Sequence, residues 1–267
     1  MRAAAQPRHD EPVLLEGLED GVLRLTLNRP AARNALSLEL MSALSQALAR
    51  AGADRACRVV VIAAAGPAFC AGHDLRELRG DPSREAYERV FAQCGALMQQ
   101  IVALPKPVIA EVHGIATAAG CQLVATCDLA VAATDSRFAT PGINIGLFCS
   151  TPMVALTRAV GRKAAMEMLL TGELIDAPTA KAIGLVNRVV PQAELSAAAM
   201  ALARQIAAKS AFTVAIGKEA FYRQAEMGLA DAYRYAGEVM TRNMLAHDAG
   251  EGIDAFLGKR PAVWRDA

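Results

Sequence analysis

Two short stretches of this 267-residue sequence combine the residue types and the spacing of a ligand site. The first covers residues 69–78 and contains Gly72, His73 and Asp74. The second covers residues 113–123 and is rich in glycine and alanine. Each follows a run of apolar, mostly β-branched residues that predicts a buried strand of a parallel sheet. Because ligands gather at the carboxyl ends of such strands, both stretches are expected to face one site.

The second stretch combines small residues with the predicted start of a helix. Small residues allow an acyl group to approach the backbone, and the first N–H groups of a helix have no acceptor within it. Those groups and the positive end of the helix dipole suit an anion or a polarised carbonyl oxygen. One N–H from each stretch would form an oxyanion hole, where losing a donor costs about 3–4 kcal/mol of transition-state stabilisation. The spacing also fits plain tight packing between strand and helix.

The rest of the pattern predicts the elements that position these stretches. Strands joined by helical crossovers indicate a parallel, right-handed α/β arrangement. Beyond residue 150 the pattern is nearly all helical, apart from a strand over 185–190. The other predicted strands cover 22–27, 58–62, 108–112 and 129–132, and the helices between them cover 37–51, 83–104 and 118–125.

The composition excludes several classes of protein. With 28 Lys and Arg against 27 Asp and Glu, the net charge is +1, so neither nucleic acid nor an anionic membrane surface is expected as a partner. No apolar run approaches the roughly 20 residues of a membrane span. The six cysteines lack the paired spacing of a zinc site, so no metal is expected. Reduced, mostly buried thiols in a cytoplasmic protein are predicted.

Further motifs follow in order along nearly the whole chain, and on them the sequence resembles the enoyl-CoA hydratase/isomerase (crotonase) family. They are Leu-Asn-Arg-Pro at 27–30, Asn-Ala-Leu at 34–36, the stretches 69–78 and 113–128, Leu-Leu-Thr-Gly at 169–172, Gly-Leu-Val at 184–186 and Phe-Leu-Gly-Lys-Arg at 256–260. The resemblance implies an α/β fold, a spiral of ββα units with a C-terminal helical trimerisation region. The expected order is a flexible tail over 1–12, the spiral core over 13–195 and the helical region over 196–267.

The resemblance also implies a ligand and a site. The ligand would be an acyl-CoA thioester, with coenzyme A as part of the substrate and no separate cofactor, bound by a homotrimer or a dimer of trimers. Carried over by position, the two oxyanion donors are the backbone N–H groups of His73 and Ala119. The residues implied to contact the acyl group or coenzyme A are Ala31, Ala32, Arg33, Ala71, Asp74, Leu75, Arg76, Ala118, Gly120, Pro141, Cys149, Phe256 and Lys259.

The sequence departs from the family at two positions where its hydratases use glutamates to hold and activate water. The first lies three residues after the second donor and is Gln122; the second follows the proline of a Phe-x-x-Pro string and is Gly142. An amide can hydrogen-bond water but cannot take its proton, and glycine has no side chain. Because each general acid or base contributes about 10²–10⁴ in rate, hydration by the usual route is expected to be slow or absent.

Several functions remain open at this point. Isomerisation, thioester hydrolysis and decarboxylation need the oxyanion hole to stabilise an enolate or a tetrahedral oxyanion. A non-catalytic acyl-CoA-binding or regulatory oligomer is the alternative of a different class. The His73 side chain could titrate near neutrality or be present only for its backbone N–H. Cys149 is interpreted as a buried thiol without an identified base, and structural hydrogen bonds are predicted for Asp74, His113 and Asp128.

Overall fold

The structure is a computed structural model that describes residues 11–267. The tail predicted over 1–12 therefore lies, except for its last two residues, outside the described residues. The strands are β1 (Leu14–Glu19), β2 (Val22–Leu27), β3 (Val59–Ala64), β4 (Val108–Val112), β5 (Ile115–Thr117), β6 (Leu129–Ala133), β7 (Arg137–Ala139), β8 (Ile175–Asp176) and β9 (Arg188–Val190). The helices are α1 (Leu38–Ala53), α2 (Leu75–Gly80), α3 (Arg84–Ala103), α4 (Ala119–Thr126), α5 (Ser150–Ala159), α6 (Arg162–Thr171), α7 (Ala177–Ala182), α8 (Leu195–Ala207), α9 (Ala211–Ala225), α10 (Leu229–Met244) and α11 (His247–Leu257).

Six strands form the main sheet in the order β1-β2-β3-β4-β6-β9. β1 pairs antiparallel with β2, and the later pairs are parallel, as the alternation of strands and helices predicts. Alternate residues of β3 face opposite sides of this sheet. Val60 and Ile62 pack in the cluster that includes α1, α3 and α4, whereas Val59 and Val61 pack against α8. The continuous apolar run of β3 thus reflects burial on both faces.

A second, three-stranded sheet has the order β5-β7-β8. β5 follows β4 after a turn at Gly114, and β7 follows β6 after a short turn, so these two strands of the main sheet are each succeeded by a short strand of the second sheet. The turn requires glycine, because φ at Gly114 is +59° and a Cβ there would lie 2.3 Å from the Pro67 carbonyl oxygen. Because β5 lies beside the segment that follows β3, the helix after β5, α4, begins next to the end of β3, where the candidate site lies.

A largely buried ion pair connects α9 to the core. Lys218 Nζ donates to Asp128 Oδ2 (2.7 Å) and to the Ile101 carbonyl oxygen (2.9 Å), while Tyr222 Oη donates to Asp128 Oδ1 (2.8 Å). Asp128 also accepts from the Val108 N–H, so the structural role predicted for it is confirmed. α8 packs on the sheet, and α9, α10 and α11 pack on one another. Within residues 11–267, no helix combines the length and apolar content that a membrane span requires.

Candidate functional site

The first candidate stretch leaves β3 and is fastened to the turn that follows β2. Asn34 is fully buried, and its Nδ2 donates to the carbonyl oxygens of Ala65 and Ala68, both at 2.8 Å. The Ala71 N–H donates to the Arg33 carbonyl oxygen (3.0 Å). These bonds hold the turn after β2 against the loop after β3.

A single parallel bridge then sets the direction of the His73 N–H. The Leu36 N–H donates to the Gly72 carbonyl oxygen (2.7 Å), and the Asp74 N–H donates to the Leu36 carbonyl oxygen (3.2 Å). Because the residues on either side of His73 make both bonds, the His73 N–H points away from Leu36. Among residues 11–267 it has no hydrogen-bond acceptor.

A second free N–H lies at the start of α4. Ala119 is the first residue of that helix, so its N–H has no acceptor within it. The preceding Ala118 has φ +51°, in the region that glycine adopts most readily, and its N–H is bonded to the Ala139 carbonyl oxygen (2.9 Å). A Cβ on Gly72 would lie 2.9 Å from the Ala118 Cβ and 3.4 Å from the Ala119 nitrogen. The residue before His73 therefore packs against Ala118 and Ala119, so the two N–H groups belong to segments in direct contact.

The close contact between the stretches depends on a further glycine. A Cβ on Gly120 would lie 2.1 Å from the Cys70 carbonyl oxygen, and the same oxygen accepts from the Thr117 N–H at 2.9 Å. The first turn of α4 is thus pressed against the end of β3. The two stretches meet at one place, as their positions after neighbouring strands predict.

Gln122 lies one turn into α4, on the same side as Ala119. It is 4% exposed, and its Oε1 accepts a hydrogen bond from Cys94 Sγ of α3 at 3.9 Å. Burial raises the pKa of the Cys94 thiol to about 11, so that thiol is protonated near neutral pH. The amide is therefore anchored by a neutral donor, and no carboxylate stands at this position.

Gly142 is the second residue of a short 3₁₀ helix that covers Pro141–Ile145. Its N–H donates to Cys149 Sγ (3.4 Å), and its carbonyl oxygen accepts from the Leu147 N–H (2.9 Å). A Cβ on Gly142 would lie 2.7 Å from the Leu147 carbonyl oxygen and 2.9 Å from Cys149 Sγ. Burial raises the pKa of the Cys149 thiol although the Gly142 N–H opposes it, which agrees with the interpretation of Cys149 as a buried thiol.

The His73 imidazole is uncharged near neutral pH. Burial lowers its pKa to about 4, which favours the alternative in which His73 is present for its backbone N–H. Its Nε2 is buried and has no hydrogen-bond partner among residues 11–267, and the ring meets Phe91 of α3 edge-on, with 5.5 Å between ring centroids. The sequence did not predict Phe91 as a site residue, because its position is typical of an apolar core residue on a long amphipathic helix.

Asp74 has a structural role at this edge of the site. It caps α2 by accepting from the N–H groups of Arg76 and Glu77, and it pairs with Arg29 at 2.9 Å. Burial opposes ionisation, but these donors hold the pKa of Asp74 below its ordinary value. Asp74 therefore orders its loop, as predicted. His113 also has a structural contact, with Nε2 2.8 Å from the Gly66 carbonyl oxygen.

The other residues implied for the acyl group and coenzyme A divide into two places. Phe256 is 83% exposed and, with Lys259, lies at the end of α11, which packs on α9 and α10. The remaining ones lie on the turn after β2, on the stretch 69–78, around the start of α4, or between Pro141 and Cys149. Among them, Ala31, Arg33, Leu75 and Arg76 are exposed.

The chain is similar to known proteins over nearly its full length. The sequence profile described as enoyl-CoA hydratase/isomerase matches residues 17–267. Enoyl-CoA hydratase domain-containing protein 3, mitochondrial, from Homo sapiens is 47% identical over 98% of this chain and 87% of that protein. The Xenopus laevis protein of the same name is 48% identical over 95% of this chain and 86% of that protein.

Solved structures of enoyl-CoA hydratases and related proteins are also similar to this chain. An enoyl-CoA hydratase from Mycobacterium smegmatis superposes with a TM-score of 0.93 at 56% identity, covering 95% of this chain and 99% of that one. Human enoyl Coenzyme A hydratase domain-containing protein 3 superposes with a TM-score of 0.92 at 47% identity, covering 94% and 100%. The expected α/β fold with a helical C-terminal region is confirmed.

The comparisons also correct one prediction. Scattered, reduced cysteines suggested a cytoplasmic protein, and all six are free and buried. The relatives from frog, rat and human are nevertheless named mitochondrial proteins, so the cytoplasmic prediction is wrong. Buried thiols stay reduced in either compartment and do not distinguish them. On its sequence profile, its relatives and its fold, this chain belongs to the enoyl-CoA hydratase/isomerase family.

Proposed function

We propose that this protein binds acyl-CoA thioesters and holds the thioester carbonyl oxygen between the N–H groups of His73 and Ala119. The observation that supports the proposal is the contact of Gly72 with Ala118 and Ala119, which places next to one another two segments whose His73 and Ala119 N–H groups have no acceptor within residues 11–267. The start of α4 adds the positive end of a helix dipole. Donors fixed in this way stabilise charge that develops on a thioester oxygen without reorganising during reaction.

The chemistry that this arrangement favours is stabilisation of an enolate or of a tetrahedral oxyanion. Hydration through a pair of carboxylates has little support. Position 122 has an amide side chain, and position 142 is a glycine in a turn that has no room for a side chain. His73 is neutral near pH 7 and, with a pKa near 4, is a weak base. Decarboxylation and thioester hydrolysis ask more of the oxyanion donors than of a base, and so they suit the site better than hydration.

A non-catalytic acyl-CoA-binding protein is the second candidate. It is favoured by one observation: His73, which carries one donor, and Gln122, which lies one helical turn after the other, both have side chains that are uncharged near neutral pH. Such a site binds and polarises a thioester but offers no strong proton acceptor. The two candidates share the same ligand and differ only in turnover.

The ends of the coenzyme A site would come from different parts of the protein. Arg33, in the turn after β2, and Arg76, in the first turn of α2, are exposed cations that suit the coenzyme A phosphates. Phe256 and Lys259 would reach the ligand of a neighbouring subunit in a trimer. Large apolar side chains exposed on the C-terminal helices support such self-association; they include Phe221, Leu229, Tyr233, Met240 and Leu257.

The test is incubation of the purified protein with crotonyl-CoA, butyryl-CoA and malonyl-CoA, followed by mass spectrometry of the thioesters. The masses report hydration, hydrolysis and decarboxylation, and chromatography adds isomerisation. Calorimetric titration with butyryl-CoA measures binding separately. Binding without any mass change assigns the non-catalytic candidate. No binding at millimolar thioester would refute both, and sedimentation at three times the mass of the chain would support the trimer.

A further inference from the structure

The last helix, α11, is held by polar contacts rather than by the apolar core. Within residues 11–267, neither cluster of buried apolar side chains includes a residue of α11, and only Asp248 and Ala255 of this helix are buried. Most of its side-chain hydrogen bonds are to residues 258–266, here called the return segment, which leaves the end of α11 and runs back along it. The position of α11 therefore depends on two carboxylates and on this segment.

Asp248 anchors the far end of the return segment. Its side chain is fully buried, and its two oxygens accept from the N–H groups of Arg265 (2.8 Å) and Asp266 (2.9 Å). Asp266 in turn accepts from the N–H of Ala211, the first residue of α9, at 2.7 Å. Burial opposes ionisation, but the Ser210 hydroxyl and these N–H donors hold the pKa of Asp248 below its ordinary value. One charged carboxylate thus joins the return segment, α11 and the start of α9.

Trp264 seats the same part of the return segment. Its Nε1 donates to the carbonyl oxygen of Ala208, just after α8, at 2.9 Å. Its ring lies over Gly252, where a Cβ would be 3.3 Å from the ring. Trp264 is the one tryptophan of the sequence, so its fluorescence reports whether the return segment is in place.

Glu251 fixes the near end of the return segment, directly beside Lys259. Its carboxylate oxygens accept from the Arg260 guanidinium at 2.6 and 2.8 Å, and Oε1 also accepts from the Val263 N–H at 2.7 Å. The Arg260 bonds, with the Val263 N–H, lower the pKa of Glu251 to about 2. Lys259 has φ +51°, a conformation in which glycine is favoured at the end of a helix. The turn therefore holds a lysine in a backbone conformation that disfavours it, as is common at functional positions.

This turn presents an aromatic ring and a cation side by side. Phe256 is 83% exposed, and Lys259 follows it by three residues and is also exposed. An aromatic ring can stack on a nucleobase, and an ammonium group can pair with a phosphate. The pair therefore suits a nucleotide, which agrees with the coenzyme A contact considered for these residues above.

We propose that Glu251 and Asp248 are positioning residues for the nucleotide part of a bound coenzyme A thioester. They hold the return segment so that Phe256 and Lys259 are already oriented when the ligand of a neighbouring subunit arrives. Both carboxylates are occupied by donors of the chain itself, and so they act through the segment. Orienting a side chain before binding reduces the entropy that binding costs, so a loosened turn weakens ligands that reach it. This inference rests on the proposed function.

The test compares calorimetric Kd values for butyryl-CoA and S-butyryl-pantetheine, which carries the same thioester without the nucleotide. The wild-type protein should bind butyryl-CoA about tenfold more tightly, because only this ligand gains the charged contact. Glu251→Ala and Asp248→Ala should lower this ratio severalfold. Glu251→Gln keeps one acceptor oxygen and should restore part of it.

Lys259→Gly separates the loss of the cation from a loss of stability. Glycine suits φ +51°, so this variant should have an unchanged or higher melting temperature. It should nevertheless lower the affinity ratio as far as Glu251→Ala does. A stable Lys259→Gly variant that keeps the full ratio would overturn the inference.

Trp264 fluorescence gives a second readout that a merely structural role would not move. In Asp248→Asn, which has one acceptor oxygen fewer, acrylamide should quench Trp264 more strongly than in the wild-type protein. Butyryl-CoA should return the quenching towards the wild-type value, because ligand binding and seating of the return segment favour each other. S-butyryl-pantetheine should not. Equal effects of the two ligands would count against the coupling.

The matched control is Glu16→Ala, which also removes one carboxylate. Glu16 lies on β1 and pairs with Arg50, and both side chains are exposed. This variant should keep the full affinity ratio and the wild-type quenching. Sedimentation of every variant shows whether the oligomer persists. A ratio that falls only in variants that dissociate would assign the two carboxylates to assembly and overturn the positioning role.

The remaining outcomes separate this inference from the proposed function. If neither thioester binds the wild-type protein, both fail together. If the two thioesters bind with equal affinity, the inference is overturned and thioester binding stands. The same holds if folded Glu251→Ala and Asp248→Ala variants keep the full ratio.

Discussion

Gly142 and Cys149 form a matched pair in which the absence of one side chain makes room for the other. The Gly142 N–H donates to Cys149 Sγ at 3.4 Å, and a Cβ on residue 142 would lie only 2.9 Å from that sulfur. The Leu147 carbonyl oxygen closes the other side of the same space at 2.7 Å. Position 142, where the family resemblance implies a glutamate in hydratases, therefore has no room for a side chain without movement of its neighbours.

We expect Gly142→Glu to fail as a restoration of hydratase activity, even when combined with Gln122→Glu. The new side chain would have to open the turn against backbone, and Gly142→Ala alone should lower the free energy of unfolding by about 1–3 kcal/mol. Urea unfolding measures the stability and crotonyl-CoA hydration measures the activity.

Gly95→Ala is the control for that experiment. Gly95 lies within α3, and a Cβ at this position would meet nothing within 4 Å, so alanine there should leave stability unchanged or raise it by about 0.5–1 kcal/mol. A double variant with glutamates at 122 and 142 that hydrates crotonyl-CoA at a rate typical of the family would contradict the closed-turn interpretation.

The longer elements of this fold could be predicted from local sequence. Runs of apolar residues predict β3 and β4, and Ser37 and Ser83 accept the N-terminal hydrogen bonds of α1 and α3, as such caps do. β5, β7 and β8 have two or three residues each, too few to show a period, and they form because other strands deliver them to a common edge. β1 was also missed, since only its first residue is buried and its pattern does not alternate.

Some features of the candidate site could likewise be predicted from local sequence, and others could not. The unpaired N–H of Ala119 follows from the start of a helix, and the loss of the two glutamates can be read directly from positions 122 and 142. The contact of Cys94 with Gln122 joins residues 28 positions apart and has no local signature. The edge-on packing of Phe91 on His73 likewise depends on where α3 crosses the site.

Removal of one backbone donor should weaken the handling of the thioester. Proline is tolerated at the first position of a helix, so Ala119→Pro deletes that N–H without removing a hydrogen bond of α4, although its ring has to fit beside Gly72 and after Ala118 at φ +51°. We expect a loss of about 10²–10³ in any turnover that passes through an oxyanion, and weaker thioester binding. Ala119→Gly keeps the N–H and serves as the control. Equal behaviour of the two variants, both folded by circular dichroism, would argue against a role for this donor.

The His73 imidazole should make the protein less stable in mild acid. Its pKa is about 4 in the folded protein, against 6.5 for the ordinary group. Below pH 6.5 the unfolded chain therefore binds a proton that the folded protein does not, and stability falls as the pH drops towards 4. Between pH 7 and pH 5 the contribution is about 2 kcal/mol. Urea unfolding at the two pH values should show a difference that His73→Gln reduces by that amount. An imidazole NMR signal that titrates near pH 6.5 would contradict it.

The ion pair between Lys218 and Asp128 should be a major support of the C-terminal helices. The Lys218 side chain is 7% exposed, and burial lowers the pKa of its amine although Asp128 opposes this. Lys218→Met would leave the Asp128 carboxylate partly buried without its cation, at a cost of about 3–5 kcal/mol in the free energy of unfolding. The exposed pair of Arg84 and Glu88 is the control, and Arg84→Ala should cost no more than about 0.5 kcal/mol. Urea unfolding of both variants decides the matter: a similar small loss in each would mean that α9 is held by its apolar contacts instead.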